Sequence, residues 1–309
     1  MSFSSDCKDD LIRIRIKDES QRLAQLSGMT LTAGGIRISR QTALFYHTEN
    51  VNVANHIASL ASSLYDIDAT IEEKIVEHRR MPYYEVSLSG NDAERLMRET
   101  GAMVRTEQSL RLMSDVPASL YEDEEIARAF LRGCFLGSGS CIDPKRGYHL
   151  EIIFRTQIVA DTVLLLLKGF QLSARTSVRK ERYLVYLKEG DDVSGMLALI
   201  GASVSAMLLE NVRVEKDMRN YINRTSNCET ANLDKQVVAS IRQRAAIAAI
   251  DKHCGLKTLP ASLQQAAQLR MNHPDATVQE LADMAEIQKS GMYHRLDRLM
   301  KIAEKLEDI

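Results

Sequence analysis

The chain has 309 residues, of which 45% are hydrophobic, and its formal net charge is −2. This length and apolar content can build the core of one large domain or of two smaller ones. Because the net charge is close to zero, the protein as a whole is not basic, and nucleic-acid binding has to be argued from local patches of charge. The five cysteines are widely spaced with no CxxC pair, which argues against a disulfide framework and a zinc site, and no apolar run approaches the ~20 residues of a membrane span. We therefore expect a cytoplasmic protein with no membrane partner, metal ion or cofactor.

The first predicted element is a helix that occurs twice, 105 residues apart. Residues 22–36 (RLAQLSGMTLTAGGI) align with residues 127–141 (ARAFLRGCFLGSGSC), and the matched pairs are Ala24 and Ala129, Leu26 and Leu131, Gly28 and Gly133, Leu31 and Leu136, and Gly34 and Gly139. In each copy, small residues lie four apart, which leaves a stripe where another helix backbone can approach closely. The alternative is that the glycines are ordinary helix C-caps and that the matches arise by chance. We favour the repeat, because the segments after each helix also correspond.

Hydrophobic periodicity predicts the same series of elements after each copy of this helix. In the first half we predict strands near 35–39 and 43–49, a helix at 53–65, strands near 69–76 and 83–90, and a helix at 92–102. In the second half the corresponding segments are 140–143, 149–156, 158–170, 174–180, 182–188 and 192–202. Each half therefore has the order αββαββα, and the fold class is α+β. Because a sheet with helices on one face leaves the other face open, two such halves are expected to join through the repeated helices into one pseudo-symmetric saddle.

The repeated helix and the elements after it resemble the LAGLIDADG homing endonucleases over about residues 10–210. The resemblance implies that the two helices pack at the pseudo-twofold axis and that the sheets form a DNA-binding saddle. In that family the residue before the terminal glycine is acidic, and the two carboxylates hold the divalent ions used for cleavage. The corresponding residues here are Ala33 and Ser138, which cannot be anionic ligands. We therefore expect degenerate motifs with no catalytic residue and no metal site. A nearby carboxylate, Asp143, precedes Pro144 and is predicted to be a turn residue.

A basic stretch follows in the second half, at residues 173–188 (SARTSVRKERYLVYLK). Its cations are Arg175, Arg179, Lys180 and Arg182. On the concave face of a sheet, this spacing would suit a DNA phosphate backbone, so these residues are candidates for a secondary DNA contact. The alternative is an ordinary solvated face.

Residues 211–232 break the repeat, and they are rich in Asn, Arg and Thr with no apolar period. We interpret them as an interdomain connector whose polar side chains satisfy an irregular backbone through local hydrogen bonds. From residue 233 the pattern is helical, with one helix ending near Gly255 and another bounded by Pro260 and Pro274. The predicted domains are the two halves of the saddle at 1–112 and 113–210, the connector at 211–232 and an all-α domain at 233–309.

Residues 276–309 predict a helix-turn-helix. Thr277 and Glu280 form a capping box for a short helix, and the small Ala282 lies where a second helix must cross it closely. The turn contains Glu286 where glycine is common, and Ser290 is predicted to cap the second helix. The apolar residues of that helix are Met292, Leu296, Leu299, Ala303 and Leu306. The residues predicted to face outward and to contact DNA are Gln288, Lys289, Ser290, Tyr293, His294, Arg295 and Arg298. They include side chains that read base edges and bind phosphates, although an ordinary surface helix would expose similar residues.

Three long stretches, in this order, resemble the WhiA family of Gram-positive bacteria. They are FLRGCFLGSGSCIDPKRGYHLEI, ENVRVEKDMRNYINRTSNCETANLDK, and LPASLQQAAQLRMNHPDATVQELADM followed by QKSGMYHRLDRLMKIAEKL. The family joins a LAGLIDADG-like domain without catalytic residues to a C-terminal helix-turn-helix. One departure is the first motif, in which Thr30 and Thr32 make the helix more polar than usual.

The WhiA resemblance implies a nucleoid-associated protein that binds double-stranded DNA and is not an enzyme. It implies roles in cell division and chromosome segregation and, in some members, in transcription regulation of sporulation genes. Other transcription or division proteins are further candidate partners, and no small-molecule substrate is expected. Two alternatives are a residual LAGLIDADG nuclease or RNA maturase that uses the saddle sheet, and a protein-interaction scaffold in which only the C-terminal domain binds DNA.

Overall fold

The computed structural model describes residues 2–38, 42–75, 82–105, 110–112 and 116–307. The chain forms two compact units, Met1–Lys216 and Asp217–Ile309. Each unit has its own hydrophobic core. Within the described residues, no helix combines the length and the apolar character that crossing a membrane requires.

The first unit contains the predicted repeat, preceded by a helix α1 (Phe3–Ile12) that the sequence analysis did not predict. The first half runs α2 (Glu19–Ala33), β1 (Gly34–Ile38), β2 (Thr42–Thr48), α3 (Val51–Tyr65), β3 (Thr70–Lys74), β4 (Tyr83–Ser89) and α4 (Asn91–Glu99). A hairpin of β5 (Met103–Arg105) and β6 (Leu110–Leu112) and a 3₁₀ helix (Ala118–Leu120) follow. The second half runs α5 (Glu124–Ser138), β7 (Gly139–Cys141), β8 (Leu150–Phe154), α6 (Gln157–Gly169), β9 (Arg175–Arg179), β10 (Arg182–Leu187) and α7 (Gly190–Ile200). The predicted order αββαββα is confirmed in both halves.

Each half forms a four-stranded antiparallel sheet, and the two strand orders correspond. They are β1-β2-β4-β3 in the first half and β7-β8-β10-β9 in the second. Burial alternates along the strands: Leu44 and Tyr46 of β2 are buried, whereas the neighbouring His47 is exposed. In β8, Leu150, Ile152 and Phe154 are buried, whereas Ile153 is exposed. One face of each sheet therefore lies on the core and the other is open, as a period of two requires.

Helices α2 and α5 pack against each other along the stripe of small residues, as the sequence predicts. A Cβ atom added at Gly28 would lie 2.6 Å from the backbone nitrogen of Cys134. A Cβ atom at Gly133 would lie 2.8 Å from the carbonyl carbon of Gln25, and closer still to its oxygen. Side chains do not fit at such distances, so this helix pair packs backbone to backbone, and that contact requires glycine at both positions.

The polar residues of the first motif are hydrogen-bonded within this contact. The hydroxyl of Thr30 donates to the carbonyl of Leu26 at 2.7 Å and lies 2.7 Å from the hydroxyl of Tyr46. The hydroxyl of Thr32 donates to the carbonyl of Gly28 at 2.7 Å. Because both buried hydroxyls have partners, the polarity of this helix leaves neither of them unsatisfied.

The repeat also extends upstream of the stretch in which the sequence revealed it. The side chain of Asp18 caps α2 by accepting from the backbone nitrogen of Gln21 at 2.9 Å. Asp123, at the equivalent place before α5, accepts from the backbone nitrogens of Glu125 and Ile126 at 2.9 and 3.2 Å. Each carboxylate satisfies donors that a helix N-terminus leaves unpaired, so both helices begin in the same way.

Helix α8 (Ser203–His253) continues through the segment that the sequence analysis interpreted as irregular. The expectation of irregular backbone over 211–232 is therefore wrong. Between residues 203 and 253 the chain contains no glycine or proline, so no residue there breaks the helix. The polar side chains that suggested local hydrogen bonding lie almost entirely on its exposed surface. The domain boundaries proposed from composition stay predictions.

The second unit is helical. After α8 come a 3₁₀ helix (Leu256–Thr258), α9 (Ala261–Asn272), α10 (Val278–Met284) and α11 (Lys289–Glu307). Pro260 occupies the N-cap of α9, and Pro274 follows its end, as predicted. The core of the unit consists of apolar side chains from all four α-helices: Ile247, Ile250, Leu263, Ala266, Ala267, Leu281, Ala282, Ala285, Met292, Leu296, Leu299 and Ala303.

Arg270 of α9 is buried beside this core, which the sequence analysis did not foresee. Its Nε donates to Oε1 of Gln243 at 2.8 Å, and its Nη1 donates to the carbonyl of Ala276 at 2.7 Å. Burial lowers the pKa of Arg270 from its usual value. The neutral acceptors solvate the guanidinium, which thereby connects α9 to α8 and to the loop before α10.

Candidate nucleic-acid interface

Helices α10 and α11 form a helix-turn-helix. The hydroxyl of Thr277 accepts from the backbone nitrogen of Glu280 at 3.1 Å, and the backbone nitrogen of Thr277 donates to Oε2 of Glu280 at 2.6 Å, so the predicted capping box is confirmed. Ala282 is fully buried between the helices of this unit. In the turn, Glu286 has a φ of 54°, the left-handed conformation that favours glycine. Its backbone nitrogen donates to the carbonyl of Asp283 at 3.1 Å, which closes the turn.

The inner face of α11 packs on the core with the predicted spacing. Met292, Leu296, Leu299 and Ala303 are buried, and Leu306 is half-buried. Residues three and four apart lie on one face of a helix, so this apolar stripe fixes which side chains point outward.

The outer face of α11 and its first turn carry the residues predicted to contact DNA. Six of them are exposed: Gln288, Lys289, Ser290, Tyr293, His294 and Arg298. Arg295 is only half-exposed, because its Nη1 donates to Oε1 of Gln265 on α9 at 3.1 Å. The prediction that Ser290 caps the helix is wrong: α11 begins at Lys289, so Ser290 lies inside the first turn.

The chemistry of this face suits a DNA groove. The side-chain amide of Gln288 can pair with an adenine edge, and the cations of Lys289 and Arg298 can bind phosphates or guanine. Farther along the helix, Lys301 forms an ion pair with Asp297 at 2.8 Å. Lys289 and Arg298, in contrast, have no ion-pair partner among the described residues. Lys289 is the first residue of α11, and in known helix-turn-helix proteins the start of the second helix enters the groove.

A second candidate surface lies on the open face of the second sheet. The strand register pairs Arg182 with Arg179 and Tyr186 with Arg175. Because cross-strand partners point to the same side, and residues four apart on one strand do so too, the three arginines share one face. All three are exposed. Lys180 lies in the two-residue turn that joins the strands, with a φ of 48°.

The open face of the first sheet is different, because its charges are paired. Glu85 lies 2.9 Å from Nε2 of His47 and 3.4 Å from Nη2 of Arg37, and Lys74 forms an ion pair with Glu72. The hydrogen bond from His47, together with the charge of Arg37, lowers the pKa of Glu85. On the second sheet, in the part of the chain that the structure describes, none of the exposed arginines has an ion-pair partner: Arg175, Arg179 and Arg182. The second open face also carries a carboxylate, Glu151, which lies 3.2 Å from Nε2 of His149, but the three arginines form no ion pair with it.

The two degenerate motif positions lie at the ends of the paired helices. Ala33 ends α2 with a methyl group, and Ser138 ends α5. The hydroxyl of Ser138 donates to the carbonyl of Ile153 at 2.6 Å and accepts from the backbone nitrogen of Ile153 at 3.2 Å. Within the described residues, no group of three or more His, Cys, Asp or Glu side chains is arranged to hold a metal ion. Ser138 therefore serves to join α5 to strand β8.

Asp143 has the structural role that the sequence predicts. Its carboxylate accepts from the backbone nitrogen of Lys145 at 2.9 Å, and its carbonyl accepts from the backbone nitrogen of Arg146 at 2.9 Å. These bonds close a turn that includes Pro144.

A cavity of about 520 Å³ lies where α2 and α5 end, and it contains cations that the sequence analysis missed. Lys8 of α1 and Arg155, which follows β8, both line it together with Arg182. The helix that carries Lys8 was not predicted. Arg155 lies two residues after Ile153 and therefore continues the outward-facing positions of β8, a signal in the period of two that the sequence already contained.

Family models match the chain in three segments. A model described as the WhiA N-terminal LAGLIDADG-like domain matches residues 19–103, and one described as the WhiA LAGLIDADG-like domain matches 127–219. A model described as the WhiA C-terminal HTH domain matches 222–303.

Relatives and a solved structure are similar over nearly the whole chain. A probable cell division protein WhiA from Clostridium acetobutylicum is 37% identical over 312 residues, covering 99% of this chain and 98% of that protein. A protein of the same name from a Thermoanaerobacter species is 36% identical over 319 residues, covering 100% and 99%. The crystal structure of full-length WhiA from Thermatoga maritima superposes with a TM-score of 0.63 at 22% identity, covering 99% of each chain, which supports the fold.

Proposed function

The chain belongs to the WhiA family, and from that premise we propose that it is a non-catalytic, DNA-binding protein of cell division. Its relatives are named probable cell division proteins, and its C-terminal domain is a helix-turn-helix. We further propose that it acts in chromosome segregation and as a transcription regulator of the sporulation type. Its partner would then be double-stranded DNA on the nucleoid in the cytoplasm, with other transcription or division proteins as additional partners.

The observation that carries this proposal is the two-sided character of α11. One side supplies buried Met292, Leu296 and Leu299, while the other exposes an amide and cations at the start of the helix. A surface helix that served only to cover the core would not need this combination of a base-reading amide and cations without ion-pair partners. We propose that Gln288, Lys289, Ser290, Tyr293, His294, Arg295 and Arg298 form the main DNA contact.

The saddle would contribute a weaker, sequence-independent contact. We propose that Arg175, Arg179, Lys180 and Arg182 bind the phosphate backbone, because the three arginines share an open face and lack ion-pair partners among the described residues. Over residues 1–210 carboxylates outnumber cations, so a long-range attraction of the whole saddle for DNA is not expected.

We expect the purified protein to leave supercoiled plasmid DNA intact in the presence of Mg²⁺ or Mn²⁺. Ala33 and Ser138 offer no carboxylate to a divalent ion, and the Ser138 hydroxyl is already bonded to strand β8. Agarose-gel analysis of nicked and linear product measures the outcome. Nicking that a chelator abolishes would contradict the non-catalytic assignment and would favour a residual nuclease.

Genome-wide mapping of bound DNA in the native cell tests the proposed role. A transcription regulator should give discrete peaks that share a sequence motif and lie near promoters. A strain carrying Arg298→Ala at the same protein level is the control, and its peaks should weaken together. Diffuse coverage without a motif would contradict a regulator and would leave a general nucleoid role.

A further inference from the structure

The cavity at the ends of α2 and α5 lies where the two halves of the repeat meet. Its walls come from both halves: Thr32 and His47 from the first, and Ser138 and Arg155 from the second. Its volume of about 520 Å³ falls within the range of small-molecule sites. The lining is polar, and its cations include Lys8, Arg155 and Arg182.

Two arginines that line this cavity lie opposite each other at the ends of neighbouring strands: Arg155 follows β8, and Arg182 begins β10. Tyr183 of β10 pairs with Phe154 of β8, so the antiparallel register extended by one residue sets Arg182 opposite Arg155. Cross-strand neighbours have Cβ atoms about 4.5–5.5 Å apart, and like charges in that position repel each other. Arg182 in turn pairs with Arg179 of β9. The result is a row of three guanidinium groups across the sheet.

The row has no anionic partner among the described residues, and one of its members is partly removed from water. Arg155 is half-buried. Burial lowers its pKa, and the charge of Arg182 lowers it further. Lys8, which also lines the cavity, is half-buried, and burial lowers its pKa to about 8, although the charge of Glu49 acts in the other direction. The free cavity thus concentrates positive charge whose repulsion a bound anion would relieve.

The other features of the cavity weigh less than these cations. The C-terminal ends of α2 and α5 carry partial negative charge, which disfavours an anion, but each macrodipole counts for only about half an elementary charge and acts within the last turn. Glu49 contributes one negative charge to the lining, whereas Lys8, Arg155 and Arg182 contribute three positive charges. Guanidinium groups also form bidentate hydrogen bonds with phosphate oxygens.

We infer that this cavity is a phosphoryl-binding site, in which Arg155 and Arg182 hold the anion and Lys8 adds a third cation. This site shares Arg182 with the saddle contact proposed above and in its DNA form rests on that proposal, but it adds Arg155 and Lys8 and a pocket that a free phosphate can enter. Two sources can deliver the same chemistry: the phosphate of a free, nucleotide-sized ligand and a phosphodiester of DNA lying on the saddle.

Calorimetric titration of the full-length protein, in a phosphate-free buffer, tests the free-ligand source with inorganic phosphate and adenosine 5′-monophosphate as probes. Adenosine, which lacks the phosphate, is the ligand control. Arg155→Gln removes one of the two arginines proposed to hold the anion, and Arg15→Gln is a matched control, since Arg15 is exposed and does not line the cavity. The loss of a charge-assisted bidentate contact should weaken binding about ten- to a hundred-fold in Arg155→Gln and leave Arg15→Gln unchanged.

The DNA source is tested by a salt series of binding titrations with a short duplex. If a DNA phosphate fills the cavity, Arg155→Gln should reduce the slope of log affinity against log salt by about one unit relative to Arg15→Gln. Arg182→Gln serves as the second variant, in case Arg155→Gln lowers the melting temperature. The site is supported by a selective loss in either experiment. It is overturned if neither experiment gives a selective loss. In that outcome the wild-type protein binds neither free probe, or both cavity variants bind the probes like Arg15→Gln, and both variants also keep the wild-type salt slope.

Discussion

Gly133→Leu is expected to destabilise the first unit severely. Gly133 lies in the middle of α5, where its Cα faces the backbone of α2 at Gln25. Even the Cβ atom of alanine would lie 2.8 Å from the Gln25 carbonyl carbon, so the two helices have to separate to admit any side chain. Overpacking of a core costs roughly 1–3 kcal/mol or more, and this site belongs at the upper end because the obstacle is backbone, which cannot rotate away. For a domain of this size, 3 kcal/mol corresponds to a loss of about 6–12 °C in melting temperature.

Gly169→Ala is the matched control for this variant. Gly169 is also helical, at the end of α6, but a Cβ atom added there has nothing within 4 Å. Alanine has the better helix propensity, so this variant should be neutral or slightly more stable. Thermal unfolding followed by circular dichroism measures both. A melting temperature that is unchanged in Gly133→Leu would mean that α2 and α5 are not in contact as described.

Arg298→Ala is expected to weaken DNA binding without unfolding the second unit. Arg298 is exposed on α11, and its neighbours Leu296 and Leu299 keep the helix anchored in the core. If Arg298 or Arg295 reads a base edge, its loss should cost about 1–3 kcal/mol and blur the preference between sequences. If either binds a phosphate, its loss should weaken all sequences alike and reduce the salt slope by about one unit.

The two arginines should differ in their effect on the protein itself. Arg295 donates to Gln265, so Arg295→Ala also removes a contact between α11 and α9, whereas Arg298 has no such bond among the described residues. Lys305→Ala is the control on the same helix, because Lys305 is exposed near its C-terminal end. A salt series of binding titrations on these variants and on a fragment of residues 1–216 measures the effects. The helix-turn-helix assignment is wrong if the fragment matches full-length affinity while both arginine variants bind normally.

Local sequence patterns determined the repeat and the character of each half. Small residues at Gly28 and Gly133, period-two strands and helix caps are local signals, and they predicted αββαββα twice because each element depends mainly on neighbours in the chain. The capping box at Thr277 and the apolar spacing of α11 were readable for the same reason. The loss of the carboxylates at Ala33 and Ser138 was also visible directly.

Only the tertiary structure decided which distant residues meet. Arg155 follows β8 and Arg182 begins β10, and their proximity depends on the β8–β10 register, which no local pattern specifies. The same holds for Arg270, whose acceptors are supplied by α8 and by the loop before α10. For residues 211–232, local composition was misleading, because polar side chains are compatible with both an irregular backbone and an exposed helix. The segment is helical because it lies inside α8, which extends beyond it in both directions. Local sequence signals therefore determined where the helices and strands lie. The charge clusters depend on contacts between distant residues, and these contacts contribute to the free energy only after the strands and helices have assembled.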